Sequence, residues 1–276
     1  MPAAPWTRTA RELCRRRSAI LCYHGVAPAS LSEDPTFQRV RPERFRAQVE
    51  LLLEAGFELV TVAELAERAG GGEPPPGLAA LSFDDGWDDN RSVVMPMLAE
   101  YGAPATVYVT TGLIGSPIPW MPEGTARGMT EDELREMAAA GHELGAHTVS
   151  HPDLSTLGYD DCLREMVESR DEVERIAGRP VRTFAYPFCH YGPAAVAAAR
   201  DAGFEAAVTC QGRGSWERHT MKRALITAKD GEASFLLKLA DAYQPLFDSV
   251  PGRALRAGTR GLRRGVRAAR ERAGGR

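Results

Sequence analysis

The sequence predicts an α/β fold in which a parallel sheet closes into a barrel. Short apolar, β-rich runs alternate with helical patterns through most of the 276 residues. Such alternation implies parallel strands joined by crossover helices. About seven or eight strand–helix units suit a closed barrel better than an open sheet. No GxGxxG turn follows the first strand, which removes the usual sign of an open dinucleotide-binding sheet.

The elements follow in order. Ala19–Tyr23 reads as the first strand. Phe45, Val49, Leu52 and Leu53 recur at i, i+4, i+7 and i+8, marking an amphipathic helix that ends at Gly56. Further strands are predicted at Phe57–Val60, Ala79–Phe83, Ala105–Val109, Glu143–Ala146, Arg182–Tyr186, Glu205–Thr209 and Ala224–Thr227. Helical patterns fall at Glu131–Ala140, Tyr159–Ile176 and Pro193–Ala202, with Thr130 as N-cap before an acidic first turn. Gly112–Met129 is a long loop rich in glycine and proline that contains Trp120. Long loops inside compact domains are often functional. The chain divides into a basic N-terminal extension (1–18), the barrel (19–228), a helical segment (229–250) and an arginine-rich tail (251–276).

Composition limits the function. Apolar residues make up 43% and charged residues 26%, the balance of a globular domain with a sizeable core. The net charge of -3 gives no global basic field, so no nucleic-acid partner is expected. Five cysteines, an odd number with no CxxC pair, indicate neither a disulfide framework nor a zinc ribbon. Free thiols point to a reducing compartment. The apolar run at Ala19–Tyr23 is too short for a signal peptide, and no run reaches transmembrane length. A cytoplasmic location is therefore expected. In the tail, Leu255, Leu262, Val266 and Ala269 fall roughly on one helical face among arginines. That pattern could dock on an anionic membrane; with glycines inside it, a solvated tail is the plainer reading.

Two constellations carry chemistry. In Ser82-Phe83-Asp84-Asp85-Gly86 an apolar strand runs into adjacent carboxylates. At the C-terminal face of a barrel these acids repel unless a cation or proton intervenes. An ordinary Asp-Asp-Gly turn is the alternative for that motif alone. In His147-Thr148-Val149-Ser150-His151, two histidines four residues apart reach one point if the backbone turns helically between them. Taken together, one aspartate and two histidines form an open 2-His-1-carboxylate set, suited to metal-assisted hydrolysis. The adjacent aspartate supplies a general base. His24, after Tyr23 at the end of the first strand, is a general-acid candidate on the same face; a core histidine is equally compatible.

The sequence resembles the polysaccharide deacetylases, carbohydrate esterases built around the NodB homology region. Ser82–Gly86 matches the family's T/S-F-D-D-G motif and His147–His151 its H-S/T-x-x-H motif. Met129–Leu154 resembles the run-up to the latter, and Phe184-Ala185-Tyr186-Pro187 the third motif of a branch that also carries Tyr23-His24 as an N-terminal Y-H pair. The resemblance spans roughly Ala19 to Thr227, with the motifs in the family's order.

It implies a distorted (β/α) barrel of about seven strands. It implies one divalent metal on Asp85, His147 and His151, zinc first and cobalt or nickel as substitutes. Asp84 would be the catalytic base and His24 the acid. The backbone amide of Phe188 would bind the oxyanion, with Tyr186, Pro187 and Trp120 beside the substrate. The implied activity is removal of N-acetyl groups from amino sugars of a polysaccharide or glycolipid. An O-acetyl esterase, a cyclic-amide hydrolase and a catalytically dead carbohydrate-binding barrel are the alternatives, the last disfavoured by the intact acid and histidine set.

Three positions depart from the family pattern. Ala185 stands where many members have the arginine that orients the base, and Arg223, just before the last strand, could supply that cation or lie exposed on the surface. Phe188 replaces a tyrosine, and Cys189 replaces a glycine, reshaping the loop if that position needs positive φ. Cys189 is not expected as a fourth ligand, because the site needs an open position. His142 is expected to be structural, His190 exposed but adjacent to the third motif, and His219 carries no signal.

Overall fold

The computed structural model describes residues 5–210 and 214–241. In chain order the elements are α1 (Pro5–Cys14), β1 (Ala19–Tyr23), the two-residue strands β2 (Gly25–Val26) and β3 (Arg39–Val40), α2 (Pro42–Ala55), β4 (Glu58–Val60) and α3 (Val62–Ala69). Next come β5 (Leu78–Phe83), a π-helical turn (Asn90–Val94) running into α4 (Met95–Ala99), β6 (Thr106–Val109), α5 (Glu131–Ala139), β7 (Glu143–Ala146) and α6 (Tyr159–Ala177). The chain continues through β8 (Thr183–Ala185), α7 (Pro193–Asp201), β9 (Ala206–Val208), β10 (Ala224–Leu225) and α8 (Glu232–Leu239).

The main sheet is parallel throughout, in the order β10-β1-β5-β6-β7-β8-β9. β4 adds an eighth strand that shares one edge of β5 with β6: it pairs Leu78–Ala80, and β6 pairs Ser82 and Phe83. The sheet curls until one segment touches both ends. Met221 exchanges hydrogen bonds with Ala207 and Thr209 beside β9, while Ala224 and Leu225 pair with β1. This is the distorted barrel expected from the sequence.

Parallel strands covered on both faces need apolar residues at every position, and β1 (AILCY) and β5 (LAALSF) are buried throughout. Alternation divides these side chains between two cores. Leu21, Tyr23, Leu81, Phe83, Val107 and Phe184 belong to the large core shared with the helices. Ile20, Ala80, Tyr108, Ala185 and Val208 form a second cluster inside the barrel. Gly145 of β7 makes room for Tyr108 there, since a Cβ on it would lie 2.5 Å from the tyrosine ring.

Helix ends follow local chemistry. Thr130 and Glu133 form a reciprocal capping box at α5, as the sequence suggests. Gly56 closes α2 in the left-handed conformation. The basic N-terminal stretch contains α1, unforeseen from sequence, which packs Ala10 and Cys14 into the core. No helix among the described residues is long and apolar enough to cross a membrane. The arginine-rich tail, 251–276, lies outside the described residues, as do 242–250.

Candidate active site

Most candidate residues leave the C-terminal end of a strand. His24 follows β1, Asp84 and Asp85 follow β5, His147 follows β7, Tyr186 follows β8, and Thr209 and Cys210 follow β9. The barrel interior turns polar toward this end, with Cys22 and Ser82 buried beneath the acids.

The two aspartates have different surroundings. Asp84 is buried and paired with Arg223: Nη1 and Nη2 donate to its two oxygens at 2.6 and 2.7 Å. Arg223 also donates to Ser82 Oγ and the Thr209 carbonyl, and its guanidinium lies 5.4 Å from the Tyr108 ring centroid. Arg223 is thus a buried cation paired with Asp84 rather than a surface arginine. Burial is the strongest influence on Asp84 and pushes its pKa up. Arg223, with help from His147 and His24, reverses this and holds it below the ordinary carboxylate value. Cys22 Sγ donates to the same carboxylate at 3.4 Å.

Asp85 turns the other way. Its φ of 70° swings the next carboxylate toward the histidines. One oxygen accepts from Trp87 Nε1 at 3.1 Å. The other, Oδ1, lies 3.4 Å from His147 Nε2 and 3.3 Å from His151 Nε2, yet no hydrogen bond satisfies it. His147 uses its Nδ1 to donate to the Ala185 carbonyl at 2.7 Å, leaving Nε2 directed inward. The three ligand atoms lie within 4.8 Å of one another. An orphaned buried carboxylate oxygen facing two imidazole nitrogens is a donor set that fits one divalent cation. Burial pushes His147 down, but contact with Asp85 and the charges of both aspartates raise it above the usual imidazole value. That same negative field would draw in a cation.

The histidine motif is not helical. Convergence of the rings comes from left-handed backbone at Thr148 (φ 66°) and His151 (φ 58°). For a β-branched residue this is an outlier, and its surroundings hold it. Thr148 Oγ1 donates to the His147 carbonyl and accepts from His151 N–H. Glu165 of α6 accepts from the backbone N–H groups of Val149 and Ser150. Among the described residues, five of the seven non-glycine residues with positive φ belong to this site: Asp85, Thr148, His151, Phe188 and Cys189. Such concentration of strain marks functional positions.

His24 sits at the rim. Its ring lies 6.3 Å from that of Trp87, and its buried Nδ1 has no hydrogen-bond partner. It is close enough for its charge to depress both aspartates. Asn90, at the start of the π-helical turn, donates to the His24 carbonyl at 2.9 Å and fixes the strand end.

An aromatic wall covers His151. Trp120 stacks on it at 4.6 Å and Phe188 meets it edge-on at 4.6 Å. Trp120 arrives through the long loop, which is anchored where Trp87 bridges Gly128 and Met129 N–H donates to Gly86. Of the third-motif residues, only Phe188 is exposed, at 55%. Tyr186 does not face the cleft: its ring is buried in the core and its hydroxyl donates to the His219 carbonyl. Pro187 is buried as well.

Other residues fall into place around the centre. His142 is structural, its Nδ1 accepting from Ala105 N–H in a buried setting that lowers its pKa. His219 pairs with the Phe204 carbonyl. His190 is joined to Asp153 at 2.7 Å. Sequence reasoning missed Trp87 as the hydrogen-bond partner of Asp85, although it stands two residues after it. It also missed a bond between Cys189 and Cys210, which corrects the reading of five free thiols and removes the cysteine argument for a reducing compartment. Cys14, Cys22 and Cys162 are free.

The family model described as "Polysaccharide deacetylase" matches residues 71–207. Over that stretch, just under half of the chain, the sequence resembles the polysaccharide deacetylase family. YxkH of Bacillus subtilis (strain 168), provisionally designated a polysaccharide deacetylase, is 26% identical over 207 residues, 75% of this chain and 68% of that protein. A chitin deacetylase of Colletotrichum lindemuthianum is 31% identical over 113 residues, covering 41% of this chain but only 42% of the fungal enzyme. Among solved structures, the Streptococcus pyogenes deacetylase PplD in complex with acetate is 26% identical with a TM-score of 0.70, covering 81% of this chain and 98% of that one.

Proposed function

We propose that the chain is a metal-dependent hydrolase that removes N-acetyl groups from amino sugars of a polysaccharide or glycolipid, releasing acetate and a free amine. The observation that carries this reading is the pairing of an open Asp85–His147–His151 set with a second aspartate held ionised by a buried arginine. The acetate bound to the Streptococcus pyogenes deacetylase is the product this reaction would release. Tyr23-His24 beside the acids supports membership of the branch with the N-terminal Y-H pair.

A divalent cation on Asp85, His147 and His151, zinc by our reading, would polarise the acetamide carbonyl and lower the pKa of the attacking water. Asp84 accepts that water's proton; Arg223 keeps its carboxylate charged and fixes its orientation. The backbone N–H of Phe188 is the protein's donor to the oxyanion. His24 donates a proton to the departing nitrogen. Trp120 and Phe188 offer aromatic faces to the sugar, and their contacts with His151 tie those faces to the reacting centre.

The test is acetate release by metal-loaded protein from chito-oligosaccharides, with acetylxylan in parallel and metal content measured on the same sample. Release from the N-acetyl substrates alone supports the reading. Release only from acetylxylan moves the function to an O-acetyl esterase, and bound metal without any release refutes hydrolysis of these acetyl groups.

A further inference from the structure

Phe188 and Cys189 are successive non-glycine residues in left-handed backbone, with φ of 54° and 58°. L residues avoid this conformation unless their surroundings impose it. Burial of Phe188 cannot do so, because the ring is 55% exposed. Two bonds to the end of β9 can. Cys189 is joined to Cys210 by a disulfide, and Thr209 Oγ1 donates to the Cys189 carbonyl at 3.2 Å. The mooring point is itself fixed, since Thr209 N–H donates to Met221 and the Thr209 carbonyl accepts from Arg223. One strand end therefore anchors both the arginine that holds Asp84 and the turn that sets Phe188 against His151.

We propose that the Cys189–Cys210 disulfide is a positioning element of the site: it holds the left-handed turn that presents Phe188 beside His151, and its reduction releases that turn and weakens glycan binding. The kinetic consequence rests on the deacetylase reading; the structural one does not. In the reduction a dithiol supplies two electrons and two protons. The S–S bond breaks, Cys189 and Cys210 become thiols, and the dithiol closes to its own disulfide. Cys189 is only 7% exposed and Cys210 1%, so small reductants act slowly and paired variants give the sharper test.

The comparison uses the full, metal-loaded chain as oxidised wild type, Cys189→Ser/Cys210→Ser and Cys189→Gly/Cys210→Ser. Both variants lack the bond, but only glycine takes positive φ without strain. In the serine pair, KM for the glycan should rise roughly tenfold, kcat should fall with it because the turn also carries the Phe188 N–H, and deuterium exchange should quicken across 186–191, with metal content unchanged. The glycine variant should recover most of the KM. A disulfide acting only as a general stabiliser would lower thermal stability in both variants without the split between them. Wild-type KM and exchange in the serine pair would overturn the proposal. So would a glycine variant no better than the serine pair, or five free thiols counted in aerobically purified wild type. If oxidised wild type releases acetate from no glycan, the deacetylase reading falls. Exchange alone then decides: quickened in the serine pair and suppressed by glycine supports the strut, and unchanged overturns it.

Discussion

Arg223→Met removes one partner of the buried ion pair that holds Asp84, the proposed base. The Arg223 and Asp84 side chains are 0% and 5% exposed, so water cannot replace the lost partner. Breaking a buried pair from one side costs about 3–5 kcal/mol, because the remaining charge stays desolvated. In the wild type Asp84 has a folded pKa below its unfolded one. Its contribution to stability is present above the unfolded pKa and is lost as pH falls through the folded value. Without Arg223, burial dominates and the folded pKa rises above the unfolded one. The sign then reverses: the contribution is present at low pH and is lost as pH rises through the new folded value. Urea unfolding of both proteins from about pH 5 to 8 should therefore show the stability gap widening toward neutral pH. The acidic limb of kcat/KM should move upward in the same variant. Arg223→Lys should recover only part of each effect, since an ammonium cannot reproduce the two-pronged contact. A methionine variant with wild-type stability and an unshifted acidic limb would refute the assignment of Arg223 as the group that keeps Asp84 charged.

Asp85→Ala should abolish metal retention and turnover together, read by metal analysis after dialysis; full occupancy would remove Asp85 from the ligand set. Trp87→Phe keeps the ring but deletes the N–H that orients Asp85, so metal affinity should fall by roughly 10–100-fold in competition with a chromogenic chelator. His24→Ala should retain metal while turnover falls by roughly 10²–10⁴-fold, and wild-type turnover would make His24 structural. Asp89 has a folded pKa raised to about 7, because burial outweighs Arg39 and the Val26 N–H. Its contribution to stability is present below the unfolded value and is lost as pH rises through about 7. Asp89→Asn should gain stability relative to wild type as pH rises from about 4 to 8, and a flat difference in urea midpoints would contradict that shift.

The strands and the Asp85, His147 and His151 cluster were legible because their signals are local. β1 and β7 lie where the apolar runs place them, and α5 starts at its capping box. The helical turn expected between His147 and His151 was not legible. That loop is shaped by Glu165, sixteen residues beyond Val149, and by a strained Thr148 that propensity disfavours. The Asp84–Arg223 pair joins positions 139 apart, so sequence could nominate Arg223 but not choose between core and surface. Tyr186 was misplaced because the motif suggests nearness to substrate, whereas strand alternation sends its side chain into the helix-side core with Phe184. Cysteine counting failed because an odd total says nothing about one pair brought together by the ends of β8 and β9.

The adjacency of Asp84 and Asp85 explains how one short motif could supply both the proposed base and a proposed ligand. Alternation along β5 points Ala80, Ser82 and Asp84 to the barrel interior, and Arg223 bonds both Ser82 and Asp84 there. Continued alternation would turn the next carboxylate to the opposite face, among the helices. A φ of 70° at Asp85 breaks the strand and brings it instead to His147 and His151. The following Gly86 also has positive φ, and its carbonyl accepts from Met129, which pins the turn to the long loop. Two like charges on neighbouring residues are therefore kept from competing for one cation. One is neutralised from within the barrel by a permanently charged guanidinium, and the other faces imidazoles that a metal can bridge. The strain at Asp85 is what separates the two roles, and so the site tolerates a backbone conformation that an ordinary strand end would avoid.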